Sequence, residues 1–233
     1  MTTVRQGRNP EDPLNNLNAP LQLIGVRIRG RLSEKYQARE RALQSSRETI
    51  RHCADSIRAI HRGEFELAHS LLDSARELIA KAKANLQPYP DLLYAGFIDD
   101  ARKEYAEGLI TMAVVTGQEL PTPEELDVPD APYLNGMGEA CGELRRFVLD
   151  ALRRDDLQRC EDVLQAMDDM YSLLITIDFP DSLTGSLRRT TDMVRGVLER
   201  TRGDLTLAVR QRKLESRLSA FQDDLRHGSQ GGE

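Results

Sequence analysis

Two short stretches carry carboxylates one helical turn apart. ARKEYAEGL at 101–109 places Glu104 and Glu107, and YLNGMGEACGELR at 133–145 places Glu139 and Glu143. On helices, spacings of three and four put each pair on one face. If the two helices pack antiparallel, four oxygen-donor side chains can meet. Hard divalent cations such as Mg²⁺ or Mn²⁺ prefer those donors, and an ion so held polarises a phosphodiester and acidifies the water that attacks it. Without a cation the four glutamates repel, and each raises its neighbours' pKa. The same spacings also occur on ordinary solvated helices, and Lys103, Arg145 and Arg146 stand close enough in sequence to pair with them locally. Spacing alone leaves both readings open.

A second pattern is basic. Arg47, Arg51, Arg58 and Arg62 stand at offsets of 0, 4, 11 and 15, which at 3.6 residues per turn gathers them within a sector of about 60°. Guanidinium forks in such a row suit a phosphate backbone. His61, Lys81 and Lys83 could add contacts, whereas the aromatic platforms used by many single-strand binders are limited nearby to Tyr36, Phe65 and Tyr105. The alternative is a solvated helix side salt-bridged to Glu40, Glu48 and Asp55.

Other chemistries find less support. Glu66 and His69 form an E-x-x-H, but a di-iron bundle needs two such motifs and two further glutamates. Asp178-Phe-Pro-Asp181 lacks the Asp-x-Asp spacing and the preceding strand of an aspartyl nucleophile, and Asp181 reads as a helix cap. No phosphate-binding P-loop, dinucleotide glycine pattern or serine nucleophile elbow occurs. Cys53, Cys141 and Cys160 are odd in number and widely spaced, which suggests buried, reduced thiols and neither a disulfide framework nor a zinc site.

The elements that must position these residues read as helices. The chain has 233 residues, 30% charged and 39% hydrophobic, with aromatics at 5% and no Trp. That balance suits a helical core of Ala, Leu, Ile, Val and Met. Residues 1–30, with Pro10, Pro13 and Pro20, read as a flexible arm, and residues 1–31 carry +3 of a net charge of −6. The apolar run Leu21–Val26 is too short for a bilayer span or a signal core; the expectation is a cytoplasmic protein with no membrane partner.

From Ser33 the pattern is helical through Arg62, with Leu43, Ile50, Ala54, Ile57 and Ile60 as its apolar positions. Gly63 interrupts it, and a second helix continues to Pro88 and Pro90. A third runs from Asp91 to Gly117, and a fourth holds Gly136, Gly138 and Gly142 in its first half. Each glycine costs about 1 kcal/mol against alanine there, which implies close backbone approach. A fifth starts at an Asp155 cap, and the last stretch is one long helix or two joined at Gly203-Asp204. The expectation is an all-α antiparallel bundle of six or seven helices over 31–225, with a polar tail at 226–233.

With those residues in view, 33–222 resembles the translin/Trax family. SRETIRHCADSIRAIHRGE is similar to the family's first long helix, ARKEYAEG followed by YLNGMGEACGELRR to its Trax branch, and LERTRGDLTLAVRQRKLESRL to archaeal members. The resemblance implies a translin-like all-α fold and a hollow homo-oligomer, often an octamer, enclosing single-stranded RNA or DNA. It further implies, on the Trax side, a metal-dependent endoribonuclease whose carboxylates come from E-Y-x-E and D-x-x-x-E. Glu104 and Glu107 match the first motif and Glu143 ends the second, while Glu139 replaces Asp with a side chain one methylene longer. The same resemblance assigns nucleic-acid contacts to Arg47, Arg51, His61 and Arg62, with Arg58 joining them from its place on the stripe. The resulting expectation is a single-strand endoribonuclease using Mg²⁺ or Mn²⁺ at Glu104, Glu107, Glu139 and Glu143; the alternative is a translin-type binder of RNA or single-stranded DNA without catalysis.

Overall fold

The computed structural model describes residues 18–228, and side chains through residue 222. Within that range all regular structure is helical: α1 (Asn18–Arg62), α2 (Phe65–Leu86), α3 (Pro90–Leu93), α4 (Asp99–Thr116), α5 (Pro123–Leu126), α6 (Asp130–Arg153), α7 (Leu157–Leu174), α8 (Asp181–Thr184) and α9 (Leu187–Gly228). Six are long and three are single turns, as an all-α bundle of six to seven helices requires.

The buried face of α1 is lined mostly by small residues. Ala38, Ala42, Ser45, Thr49, Cys53, Ser56 and Ile60 recur at three- and four-residue steps, whereas the expected core positions Leu43, Ile50 and Ala54 are only half-buried. Opposite them α2 presents Ala68, Leu72, Ala75, Ile79, Ala82 and Leu86 with the same period. Small side chains let the two helices approach closely, and the Thr49 hydroxyl is satisfied by donating to the Ser45 carbonyl at 2.9 Å. Gly63, at φ +75°, makes the sharp reversal between them.

Part of the span expected as an arm, 1–30, is helical. Residues 1–17 lie outside the described residues, but 18–30 form the start of α1. Pro20 falls in the first turn, where backbone N–H groups have no intrahelical acceptor and a proline costs nothing. Leu21, Ile24, Ile28 and Leu32 continue the helical spacing and are exposed. The tail expected from residue 226 begins inside the last turn of α9, and 229–233 lie outside the described residues.

Other boundaries shift for local reasons. The helix expected from Asp91 is divided by Gly96 at φ +77°, so α4 starts at Asp99. Asp155, at φ 63°, ends α6, and its neighbour Asp156 caps α7 by accepting from the Arg159 N–H. Asp181 is the first residue of α8, behind Pro180, and makes no side-chain cap. Gly203 does not break α9, which is one helix.

The centre of the bundle is the α4–α6 pair, with α1 and α2 against α4, and α7 and α9 against α6. Its core includes Ile60, Leu72, Ile110, Leu144, Val148, Met167 and Val194, all nearly inaccessible. Two of the three α6 glycines explain the closeness. A Cβ on Gly136 would lie 2.5 Å from the Lys103 carbonyl and 3.1 Å from the Glu107 nitrogen; one on Gly138 would lie 2.3 Å from the Thr190 methyl. Beside Gly142 nothing comes within 4 Å.

This difference is testable by chemical denaturation. Gly136→Ala must push two backbones apart and is expected to lose about 1–3 kcal/mol. Gly142→Ala, which only improves helix propensity, is expected to be neutral or to gain up to about 1 kcal/mol. Equal effects would show that Gly136 does not set the spacing.

Candidate metal centre

Gly136 rests against the backbone of α4 between Lys103 and Glu107, so the segment carrying the first acidic pair is the segment closest to α6. Tyr105 and Ala106 are buried between Glu104 and Glu107, which fixes the rotation of α4 and turns both carboxylates along the α6 surface. On α6, buried Ala140 and Cys141 follow Glu139 and fix its direction in the same way. As a result Glu104, Glu107 and Glu139 each bring a carboxylate oxygen within 4.8 Å of the others, all half-buried. They form the one such cluster among the described residues.

The fourth predicted ligand behaves differently. Glu143 is bonded to His61 of α1, with 2.6 Å between its Oε2 and the ring Nε2. The His61 side chain is only 4% exposed. It therefore faces the acidic residues and stands apart from the solvent-facing basic stripe, whereas the resemblance assigned it, with Arg62, to nucleic-acid contacts. At helical spacing it points about 70° away from the centre of that stripe, toward the packed side.

Electrostatics reflect this division. Glu107 is pushed up to about 8, first by burial and then by the charges of Glu104, Glu139 and Glu143. Glu104 is also raised, chiefly by burial, with Lys103 opposing. Glu143 is held below the usual carboxylate range by its hydrogen bond to His61. Cys53, on the α1 face above the cluster, is pushed up to about 12 by burial and by the charges of Glu104 and Glu107; it stays a thiol.

A cation already stands at the cluster. The Lys103 ammonium lies 2.8 Å from Glu139 and 3.8 Å from Glu104. Burial alone would lower its pKa, but the Glu139 hydrogen bond and the surrounding carboxylates outweigh that and raise it. The local pairing foreseen for Lys103 is thus real, whereas Arg145 bonds to Thr201 and Asp204 on α9. Oxygen donors converging around a positive group are the donor set a hard divalent ion takes. Glu107 makes no hydrogen bond among the described residues, so its oxygens are open to such an ion. Next to the cluster, a cavity of about 500 Å³ is bordered by Lys103, Glu139, Asp99, Asp100, Asn135 and Arg189.

Arg47, Arg51, Arg58 and Arg62 are all exposed on one side of α1. Arg58 pairs with Asp55 and Arg62 with Glu64; Arg47 and Arg51 have no carboxylate partner among the described residues. The E-x-x-H histidine, His69, is exposed and pairs with Asp73 at 3.0 Å. What spacing could not reveal was the part of His61, because its partner lies 82 residues away, and the importance of Gly136, which depends on a tertiary contact.

The raised Glu107 has a consequence for stability. Its carboxyl keeps its proton in the folded chain at pH values where the unfolded chain has lost it, so its contribution falls as pH rises from its ordinary 4.5 to about 8. Metal-free protein is therefore expected to melt progressively lower over that range. Glu107→Gln should remove this slope and stabilise the metal-free protein at pH 8 by on the order of 1–3 kcal/mol. Parallel melting curves of mutant and wild type across that range would contradict the burial of this charge.

No family model matches the chain. A protein of Methanocaldococcus jannaschii is 32% identical over 194 residues, covering 82% of this chain and 85% of the relative. Two solved structures of the archaeal protein AfC3PO, one of them a complex with duplex RNA, are 35% identical with TM-scores of 0.73. They cover 80% of this chain and 96% and 97% of theirs. Apo-NeC3PO, 20% identical, shares the fold with a TM-score of 0.67 over 87% of this chain and 100% of its own. The helical bundle is translin-like, and with identity at this level over most of both chains, the protein belongs to the translin/Trax family.

Proposed function

We propose that this protein binds RNA and cuts it as a metal-dependent endoribonuclease, with Glu104, Glu107 and Glu139 holding Mg²⁺ or Mn²⁺. The observation that carries this reading is the convergence of those carboxylates within 4.8 Å on two helices. When bound, the ion supplies polarisation of the phosphodiester and an acidified water. The chain supplies the rest. Glu143, held below the usual carboxylate range by His61, stands one turn along α6 from Glu139, and in this reading it swings from His61 to complete the ligand set or orients water. Half-burial of the cluster strengthens each of these interactions relative to bulk solvent.

Arg47 and Arg51 hold the nucleic-acid backbone in this reading, and Arg58 and Arg62 join them by exchanging Asp55 and Glu64 for phosphates. Family membership supports a homo-oligomeric shell, of eight subunits in the fullest version, working in the cytoplasm on single-stranded RNA. AfC3PO has been solved with duplex RNA, so strandedness is part of the test. None of the described helices is long and apolar enough to cross a membrane.

A non-catalytic, translin-type binder of RNA or single-stranded DNA is the second reading. The Lys103–Glu139 pair favours it, because an internal ammonium can neutralise the cluster without a metal. The two separate in a cleavage assay with end-labelled single-stranded and duplex RNA, in Mg²⁺ or Mn²⁺ against chelator. The catalytic reading predicts metal-dependent cutting of the single strand that falls by about a hundredfold or more in Glu107→Ala, a loss on the scale of removing an electrostatic catalyst. Cutting that persists in Glu107→Ala would dismiss the site, and no cutting with intact binding would leave the binder. Under either reading, Arg47→Ala/Arg51→Ala should weaken binding and reduce the slope of log affinity against log salt by about 1–2; an unchanged slope would remove the stripe from the interface.

A further inference from the structure

Among the described residues Lys103 is the one basic side chain within ion-pairing distance of the three-carboxylate cluster, and its position bears on how an ion would enter. Its ammonium contacts Glu139 directly at 2.8 Å and Glu104 at 3.8 Å, which are two of the cluster's three members. An ion bound to these carboxylates and an ammonium bound to the same oxygens exclude each other, both by the oxygens they need and by like charge. The side chain also has somewhere to go. Lys103 and Glu139 border the cavity of about 500 Å³, and so does Asp100. Asp100 stands three residues before Lys103 on α4, on the same face and within reach of its flexible stem. It is exposed and has no cationic partner among the described residues, whereas its neighbour Asp99 is already paired with Arg102 at 2.9 Å.

We propose that Lys103 is a tethered stand-in cation: it occupies the acidic site until a divalent ion enters, and is then displaced across the cavity to Asp100. Metal uptake is an exchange of one cation for another, with the lysine charged throughout. The tether lets the fold hold three carboxylates together before metal arrives, and it sets a threshold of ion concentration below which the site stays filled by its own side chain. This inference rests on the metal-site reading above.

The test is Mn²⁺ binding by the full-length protein in the absence of RNA, read as loss of the free-ion signal in electron paramagnetic resonance. Lys103→Met should tighten Mn²⁺ binding about tenfold, the effect of removing one nearby unit charge at a high effective dielectric. Asp100→Asn should weaken binding in the wild-type background, where the displaced ammonium needs its new partner, and have a much smaller effect when Lys103 is already Met. Glu107→Ala, which should abolish the binding, identifies the site. Equal Mn²⁺ affinity in wild type and Lys103→Met overturns the exchange while leaving the site standing. An Asp100→Asn effect of the same size in both backgrounds overturns the landing place, and with it the displacement as stated. Absence of any Glu107-dependent Mn²⁺ binding in both wild type and Lys103→Met overturns the exchange and the metal site together.

Discussion

The site depends on how closely α4 and α6 approach. Gly136 allows it, since any Cβ there would lie 2.5 Å from the Lys103 carbonyl, and the contact falls on the turn of α4 that bears Glu104 and Glu107. Were the helices held further apart by a side chain at that contact, the carboxylates of α4 and the Glu139 carboxylate would separate as well. Close approach instead brings them within 4.8 Å. It also makes their mutual repulsion a property of the fold, because neither helix can retreat without opening the core around Ile110 and Leu144.

That repulsion is relieved in three ways, each on a different carboxylate. Glu107 is driven toward its protonated form. Glu139 takes the Lys103 ammonium. Glu143 is drawn aside by His61, which α1 delivers from across the bundle. A divalent cation would answer all three at once, which is the physical argument for reading the cluster as a site and not as an accident of surface composition. The basic side of α1 is separate from this arrangement: its exposed arginines and its buried histidine diverge around one helix, so a single element borders both the exposed arginine row and the acidic centre.

Much of this was legible in the sequence because it is local. The three-to-four-residue periods gave the long helices, Gly63 and Gly117 gave their ends, and the acidic spacings put Glu104 with Glu107 and Glu139 with Glu143. The glycines of the fourth predicted helix announced close packing, and two of three show it. What was not legible is long-range or marginal. The start of α1 was missed because Pro20 looked like a breaker where it is harmless, and the α1 core face was read from its large residues when its small ones are the buried set. His61 was grouped with its neighbour Arg62, although one residue of helix turns it toward Glu143. No spacing rule could have shown that the four-carboxylate set divides into three and one.

The central claim is that Glu104, Glu107 and Glu139 bind a divalent ion, and diffraction from crystals equilibrated with Mn²⁺, recorded at a wavelength where manganese scatters anomalously, addresses it directly. The account predicts an anomalous peak between α4 and α6, with oxygens of these carboxylates at about 2.0–2.4 Å and the Lys103 ammonium moved off Glu139. A saturated crystal with no peak there, and with Lys103 still bonded to Glu139, would contradict it.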